Sequence, residues 1–233
     1  MDSTPPAAPA PATARPEDVI ATVADLEALV GLPLPRVAQK ERPTLSEIDV
    51  QWIARSPFLI LATSDAEGRC DASPKGDPPG IAHVLDERTI AVPERPGNKR
   101  VDGYRNVLSN PHVGLIFLIP GRDDTLRVNG RARLVRDAPY FDAMRVKGHR
   151  PVLALEVDVE EVFFHCAKAF MRSMLWRPES WDVEGLPSRA EIASVLERPD
   201  VTREDLERYY GPSYAERLYR DAPMPQPSEA TPA

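Results

Sequence analysis

The stretch AVPERPGNKRVDGYRNVLSNP, residues 91–111, holds Arg95, Lys99, Arg100 and Arg105 in a chain of 233 residues whose formal charge is −7. Ile90, Ala91 and Val92 run into Pro93, which ends a β-ladder because it lacks a donor. Pro96 and Gly97 then make a tight turn, and Asn98 stands where the N-cap of a helix over about 99–109 would be. A helix start presents free backbone N–H groups and the positive end of its dipole, so with Lys99 and Arg100 the junction is an anion seat. A phosphate monoester, with roughly −1.5 to −2 charges near neutral pH and three acceptor oxygens, matches such a seat. The other reading of the same residues is a solvated helix start, partly neutralised by Glu94 and Asp102.

Three further segments group polar side chains. In DASPKGD alternation puts Asp71, Ser73 and Lys75 on one strand face and Ala72 and Pro74 on the other, a pattern an ordinary polar strand face would also show. Along TLRVNGRARL, Thr125, Arg127, Asn129, Arg131 and Arg133 share the face opposite Leu126, Val128 and Leu134, either solvated or meeting a second subunit. HCAKAFMRSMLW sets Lys168 and Arg172 four apart on a helix, with Trp176 one turn further, which brings two cations and an aromatic towards one anionic or planar ligand. Trp176 fits a core position equally well.

Side-chain catalysis finds little support. His83, His112, His149 and His165 lack metal-ligand spacing, and neither a GxSxG elbow nor HExxH occurs. His165 and Cys166 are neighbours, but adjacent strand residues point to opposite faces. No residue is therefore assigned a catalytic or metal-binding role.

The elements that must position these groups are mostly strands. FLILATSDAEGR followed by CDASPKGD reads as a hairpin with a buried first strand. Further strands are expected at 81–85, 88–93, 113–119, 124–136 and 152–165, interrupted by short helical patterns at about 99–109 and 137–147. Consecutive antiparallel strands fit this order better than repeated βαβ units, and the centre of the chain reads as an antiparallel barrel. Flanking helices are expected at 17–30, where Val19, Ile20, Val23, Leu26, Leu29 and Val30 share a face, and from Thr44 or Ser46. Others follow in CAKAFMRSMLW and at 188–196 and 202–219.

Residues 1–16 hold five prolines and five alanines and residues 221–233 four more prolines, so both tails are expected to be disordered around a single domain over 17–220. With 36 acidic against 29 basic residues, the chain as a whole repels nucleic acid and anionic membranes. It has no apolar run of membrane-span length and no charged-then-apolar leader, which reads as cytoplasmic. Cys70 and Cys166 form no CxxC pair, which leaves structural zinc and a disulfide framework without support.

GNKRVDGYRNVLSNPHVGLIFLIPG followed by TLRVNGRARL resembles the pyridoxamine 5′-phosphate oxidase-like superfamily, the FMN-binding split barrels, over about residues 45–176. The ordered set SPKGDPPG, RPGNKR, LRVNGRA and HCAKAFMRSMLW resembles one flavin-binding branch. That resemblance implies a mainly β fold with flanking helices, a six-stranded antiparallel split β-barrel, in a homodimer with FMN at the subunit interface. It implies that Asn98 and Lys99 contact the phosphate, with Arg95 and Arg100 as further ligands, and that Val92 and Pro93 pass the flavin with their backbone. Ser73 and Lys75 would contact the ring edge or the ribityl chain. Thr125 and Arg127 lie where the oxidase has a flavin-contacting segment, and Lys168 and Arg172 would close the site across the dimer or meet the substrate's negative charge. The C-terminal Arg-x-His-type element of the vitamin B6 oxidase is not evident, which points to a different substrate. The expected function is an FMN-dependent oxidoreductase, with NADH or NADPH as candidate donors. The alternatives are a non-catalytic flavin-binding or sensing module, or the same barrel holding deazaflavin or haem.

Overall fold

The computed structural model describes residues 14–220, which divide into two compact units at Lys40/Glu41. Most of both proline-rich tails lies outside the described residues. The first unit contains a 3-10 turn at Pro16–Asp18 and two helices, α1 (Val23–Val30) and α2 (Pro35–Ala38). The helix expected over 17–30 starts only at Val23, because Thr22 is extended and its side chain accepts from Asp25 N to cap the first turn. Val19 and Ile20 therefore precede the helix, and all six residues of the expected apolar face stand exposed.

The second unit opens with α3 (Glu47–Ile53), and here the hydroxyl start is found at Ser46. Ser46 and Asp49 form a reciprocal capping box, and Arg42 grips the same carboxylate at 2.6 and 2.9 Å. Asp49 is fully buried. Burial alone would raise its pKa, but the hydrogen bonds from Arg42 and Ser46 outweigh that and hold it below the ordinary value. Trp52 and Ile53 on the same helix enter the main core.

Seven antiparallel strands follow: β1 (Phe58–Ser64), β2 (Cys70–Gly76), β3 (His83–Val84), β4 (Thr89–Glu94), β5 (His112–Leu118), β6 (Thr125–Val135) and β7 (Leu153–His165). Their spatial order is β2-β1-β5-β6-β7-β4-β3. The resemblance implied six strands. The seventh is β3, a two-residue strand that pairs His83 with Ala91 and Val84 with Ile90. The expected hairpin is β1–β2, with Leu61 opposite Ser73 and Leu59 opposite Lys75. Alternation along β1, β5 and β6 sends Leu59, Leu61, Leu115, Phe117, Leu126 and Val128 inward to the main cluster, where β4 and β7 add Ile90, Val92, Leu155 and Val157.

The ladder does not close on itself. The end strands are β2 and β3, but β3 covers only Ile90 and Ala91 of β4, so β2 and the rest of β4 flank the gap; they carry Pro74 and Pro93, which pair with Ile60 of β1 and Ala154 of β7. The sheet nevertheless rolls until these strands face each other, since Lys75 of β2 meets Glu94 of β4 at 2.6 Å and Asp77 meets Arg95 at 2.7 Å. Helix α4 (Asp102–Ser109) lies by this seam and buries Gly103, Tyr104 and Val107. It is stitched to the hairpin by Asn106 Nδ2 donating to Thr63 Oγ1 at 3.1 Å and, just past its end, by Asn110 Nδ2 donating to Ser64 Oγ at 3.0 Å. A 3-10 turn at Pro139–Met144 packs Phe141 and Met144 over Ala91 and Ala154.

The C-terminal extension adds α5 (Lys168–Ser173), α6 (Arg189–Ile192), continued to Glu197 as a π turn, and α7 (Arg203–Tyr209). Ala190, Ala193, Val201 and Leu206 form a small core of their own. Among the described residues no helix is long and apolar enough to cross a membrane.

Two substitutions test this account. Gly130 sits at the irregularity between β6 and β7, where an added Cβ would lie 2.1 Å from Asp158 O. Gly130→Ala must therefore push the strands apart and should lower unfolding free energy by about 2–4 kcal/mol, measured by urea denaturation. Asp49→Ala leaves Arg42 without its partner and the cap empty, an expected loss of about 2–4 kcal/mol. Because folding lowers the Asp49 pKa, its contribution is complete above the unfolded value of about 4 and is lost as pH falls through the folded value. The stability difference between wild type and variant should accordingly shrink on acidification.

Candidate functional site

Each side of the seam supplies one wall of a cleft of about 300 Å³. From β2 come Asp71, Ser73 and Lys75, from β4 Glu94, and from the turn and helix start beyond it Asn98, Arg100, Asp102 and Tyr104. The alternation expected in DASPKGD is present, with Asp71, Ser73 and Lys75 half-buried towards the cleft and Ala72 and Pro74 exposed. Four of the candidate residues, Ser73, Lys75, Asn98 and Arg100, are thus brought together from segments more than 20 residues apart in sequence.

Glu94 organises the inner end. It accepts from Lys75 Nζ at 2.6 Å and from Tyr104 Oη at 2.5 Å, while the Lys75 ammonium lies 4.5 Å above the Tyr104 ring. Burial, then the Glu94 charge and its hydrogen bond, raise the Tyr104 pKa far above the ordinary phenol value, so Tyr104 remains a proton donor. The outer end is solvated: Arg100 pairs with Asp102 at 2.5 Å with its side chain 80% exposed, and Arg105 reaches the same carboxylate at 3.1 Å. Sequence reasoning listed Glu94 and Asp102 only as neutralisers and missed Tyr104. The one available clue to Tyr104 was its helical spacing behind the turn.

The anion seat is not a helix N-terminus. Helix α4 begins at Asp102 with Val101 as its N-cap, three residues later than expected. Asn98 instead accepts from Arg100 N through Oδ1 at 2.9 Å, an Asx-type turn that competes with helix formation. Lys99 is left-handed, with φ +62°, and such a residue cannot continue a helix. Lys99 is therefore absent from the small cleft and lines a second one with the C-terminal extension, while Asn98 and Arg100 border both.

The remaining candidates are dispersed. Val92 and Pro93 are buried in β4. Arg95 is half-buried. It pairs with Asp77, donates to Met144 O at 2.7 Å, and leaves Nη1 without a partner among the described residues. Tyr219 closes over this pair, donating to Asp77 at 2.8 Å with the Arg95 guanidinium 6.0 Å from its ring. On β6 the arginine face is as read, except that Thr125 is buried and Arg127 stacks 5.1 Å from the Phe163 ring with a buried, unpartnered Nε. Arg131 and Arg133 are exposed; Arg133 pairs with Asp158 and Glu156. Lys168 and Arg172 are exposed on α5. Trp176 is held elsewhere, its Nε1 donating to Arg122 O at 2.7 Å and its ring stacked on Phe170.

The donor set of the small cleft fits a phosphorylated flavin. Ser73 and Lys75 offer a hydroxyl and an ammonium at the sheltered end, suited to a polar ring edge or a polyol. Asn98 and Arg100 offer an amide and a guanidinium at the open end. An exposed ion pair contributes little, so Arg100 can exchange Asp102 for phosphate at small cost. A cleft of 300 Å³ lies at the lower limit of small-molecule sites, enough for part of a flavin nucleotide on one protomer.

A family model described as pyridoxamine 5′-phosphate oxidase matches residues 46–166, just over half the chain. No curated protein matches. Similar solved structures include a candidate pyridoxamine 5′-phosphate oxidase from Lactobacillus delbrueckii, 26% identical over 54% of this chain and 99% of that one, with a TM-score of 0.42. HupZ from Group A Streptococcus is 21% identical over 52% and 93%, with a TM-score of 0.41. An FMN-binding protein from Syntrophomonas wolfei is 16% identical over 51% and 89%, with a TM-score of 0.39.

The buried pair across the seam makes a direct prediction. Asp77→Ala strands the Arg95 guanidinium and releases Tyr219, so unfolding free energy should fall by about 3 kcal/mol and residues 210–220 should become sensitive to limited proteolysis. Replacing both partners with apolar residues, Asp77→Leu with Arg95→Met, should restore most of the global stability but not the protection of that segment.

Proposed function

Because this chain belongs to the pyridoxamine 5′-phosphate oxidase family, we propose that its seam cleft binds FMN and that the protein is an FMN-dependent oxidoreductase acting as a homodimer. The observation that carries this reading is the convergence of Ser73, Lys75, Asn98 and Arg100 on one cleft within the family-matched segment. The flavin would supply the two-electron chemistry, and the chain binds and orients it. Arg100 and Asn98 take the phosphate, while Ser73 and Lys75 face the ribityl chain or the ring edge.

Lys75 keeps a fixed position because Glu94 and Tyr104 hold it on two sides, so it presents an oriented N–H donor to whatever occupies the sheltered end. The cleft is open on one side, and a second copy of the chain is the proposed cover that excludes water and completes the site.

The purified protein should be yellow, denaturation should release FMN rather than FAD, and light scattering should give twice the mass of one chain. A colourless protein that FMN cannot reconstitute would remove the assignment. FMN should bind at least tenfold more tightly than riboflavin, and Arg100→Ala should narrow that ratio about tenfold while Arg136→Ala leaves it unchanged, read by flavin fluorescence titration. Anaerobic NADH or NADPH should bleach the bound flavin's visible absorbance. A flavin that neither reduces would favour the binding-module reading.

A further inference from the structure

The largest cleft among those described, about 760 Å³, lies between the turn at 96–100 and the C-terminal elements. We propose that it binds a nucleotide carrying a pyrophosphate, a ligand separate from the flavin and held mainly by the C-terminal extension. This goes beyond the flavin reading and does not depend on it.

Charge is the first argument. Lys99 and Arg100 on one side and Arg189, Arg198, Arg217 and Arg220 on the other line this cleft, against a single acid, Glu197. Glu197 is engaged by Arg189 at 2.5 Å. Arg217 donates to two backbone carbonyls, Tyr209 O at 2.6 Å and Ser213 O at 3.3 Å, and no carboxylate among the described residues pairs with it. Its position is fixed while its charge is left uncancelled. Arg100, Arg189 and Arg198 already meet Asp102, Glu197 and Asp200, so in a chain of net charge −7 the cationic charge left for an anionic ligand centres on Arg217.

Aromatic surface is the second. Tyr209, Tyr210 and Tyr214 form a cluster with ring centroids 4.9–5.6 Å apart, and all three line the cleft. Arg189 covers Tyr210 at 4.8 Å and Arg217 covers Tyr209 at 4.7 Å, so cations and rings alternate along one wall. Tyr214 stays 41% exposed and offers a face on which a base can stack. A wall of rings next to guanidinium forks suits a ligand with a planar base at one end and phosphates at the other, which neither a bare anion nor an acidic peptide supplies.

The wall is also held in place. Tyr219, two residues beyond Arg217, is anchored on the buried Arg95–Asp77 pair, which fixes the end of the extension against the seam. A bounded volume of about 760 Å³ falls inside the range of small-molecule sites. The aromatic wall lies beyond residue 166, where the family match ends.

The test is calorimetric titration of the full chain, flavin-free and flavin-loaded, with ADP, adenosine and inorganic pyrophosphate. ADP should saturate one site per chain in both states, with adenosine and pyrophosphate each at least tenfold weaker. Arg220→Glu and Tyr214→Ala, both at exposed positions, should each weaken ADP at least fivefold with unchanged circular dichroism, and Arg136→Glu should not. The proposal falls if ADP gives no saturable heat, if pyrophosphate binds as tightly as ADP, if FMN displaces ADP competitively, or if Arg220→Glu leaves ADP binding as it was.

Discussion

The contact between Lys75 and Glu94 is the constraint from which most of this structure follows. A seven-stranded antiparallel sheet has two edges, and here the strands flanking the gap are joined by side chains instead of by a ladder. Lys75–Glu94 and Arg95–Asp77 span the seam as two parallel ion pairs, each with little solvent exposure. Half-buried pairs of this kind add little net stability compared with apolar packing, but breaking one leaves a charge with nowhere to go. They specify which strands face each other more than they strengthen the fold. The seam they define fixes the small cleft, the seat of Tyr104 and the docking point of Tyr219.

The two ends of the cleft differ in rigidity for reasons that can be read from exposure. At the inner end Glu94 has two donors and Lys75 has both a carboxylate and a ring, so replacing any one of them disturbs the rest. At the outer end Arg100 is held by a solvated carboxylate and can turn to a new partner with little loss. A nearly neutral cleft can still accept a dianion on these terms, because it is the exposed arginine and not the enclosed lysine that must change partners.

Much of the fold was legible because hydrophobic alternation is a local property. The buried first strand of the hairpin, the inward residues of β6, the hydroxyl cap of α3 and the seven strand positions all came from spacing within ten or so residues. The site was legible only in part. Ser73, Lys75, Asn98 and Arg100 do converge, but Asn98 as an N-cap failed because its side chain found a nearer donor two residues on, and a left-handed Lys99 then delayed the helix. Arg95 looked like one more phosphate ligand, whereas Asp77 claims it through a contact 18 residues distant in sequence. The exposed face of α1 shows the opposite failure: an amphipathic spacing says which side is apolar and not whether anything lies against it. Glu94 and Asp102 were seen as acids that dilute a basic cluster, because sequence gives charge without direction.

Pro74 and Pro93 stand on either side of the gap, one in β2 and one in the part of β4 that β3 leaves uncovered. A proline fits in a ladder only with its nitrogen turned away from the partner strand, which here means towards the seam. Neither border can zip onto the other, and neither invites an outside strand to do so. The fissure is therefore written into the covalent chain: imino acids keep a slot open in what would otherwise anneal into an uninterrupted cylinder, and a ligand entering there competes with no backbone for the space.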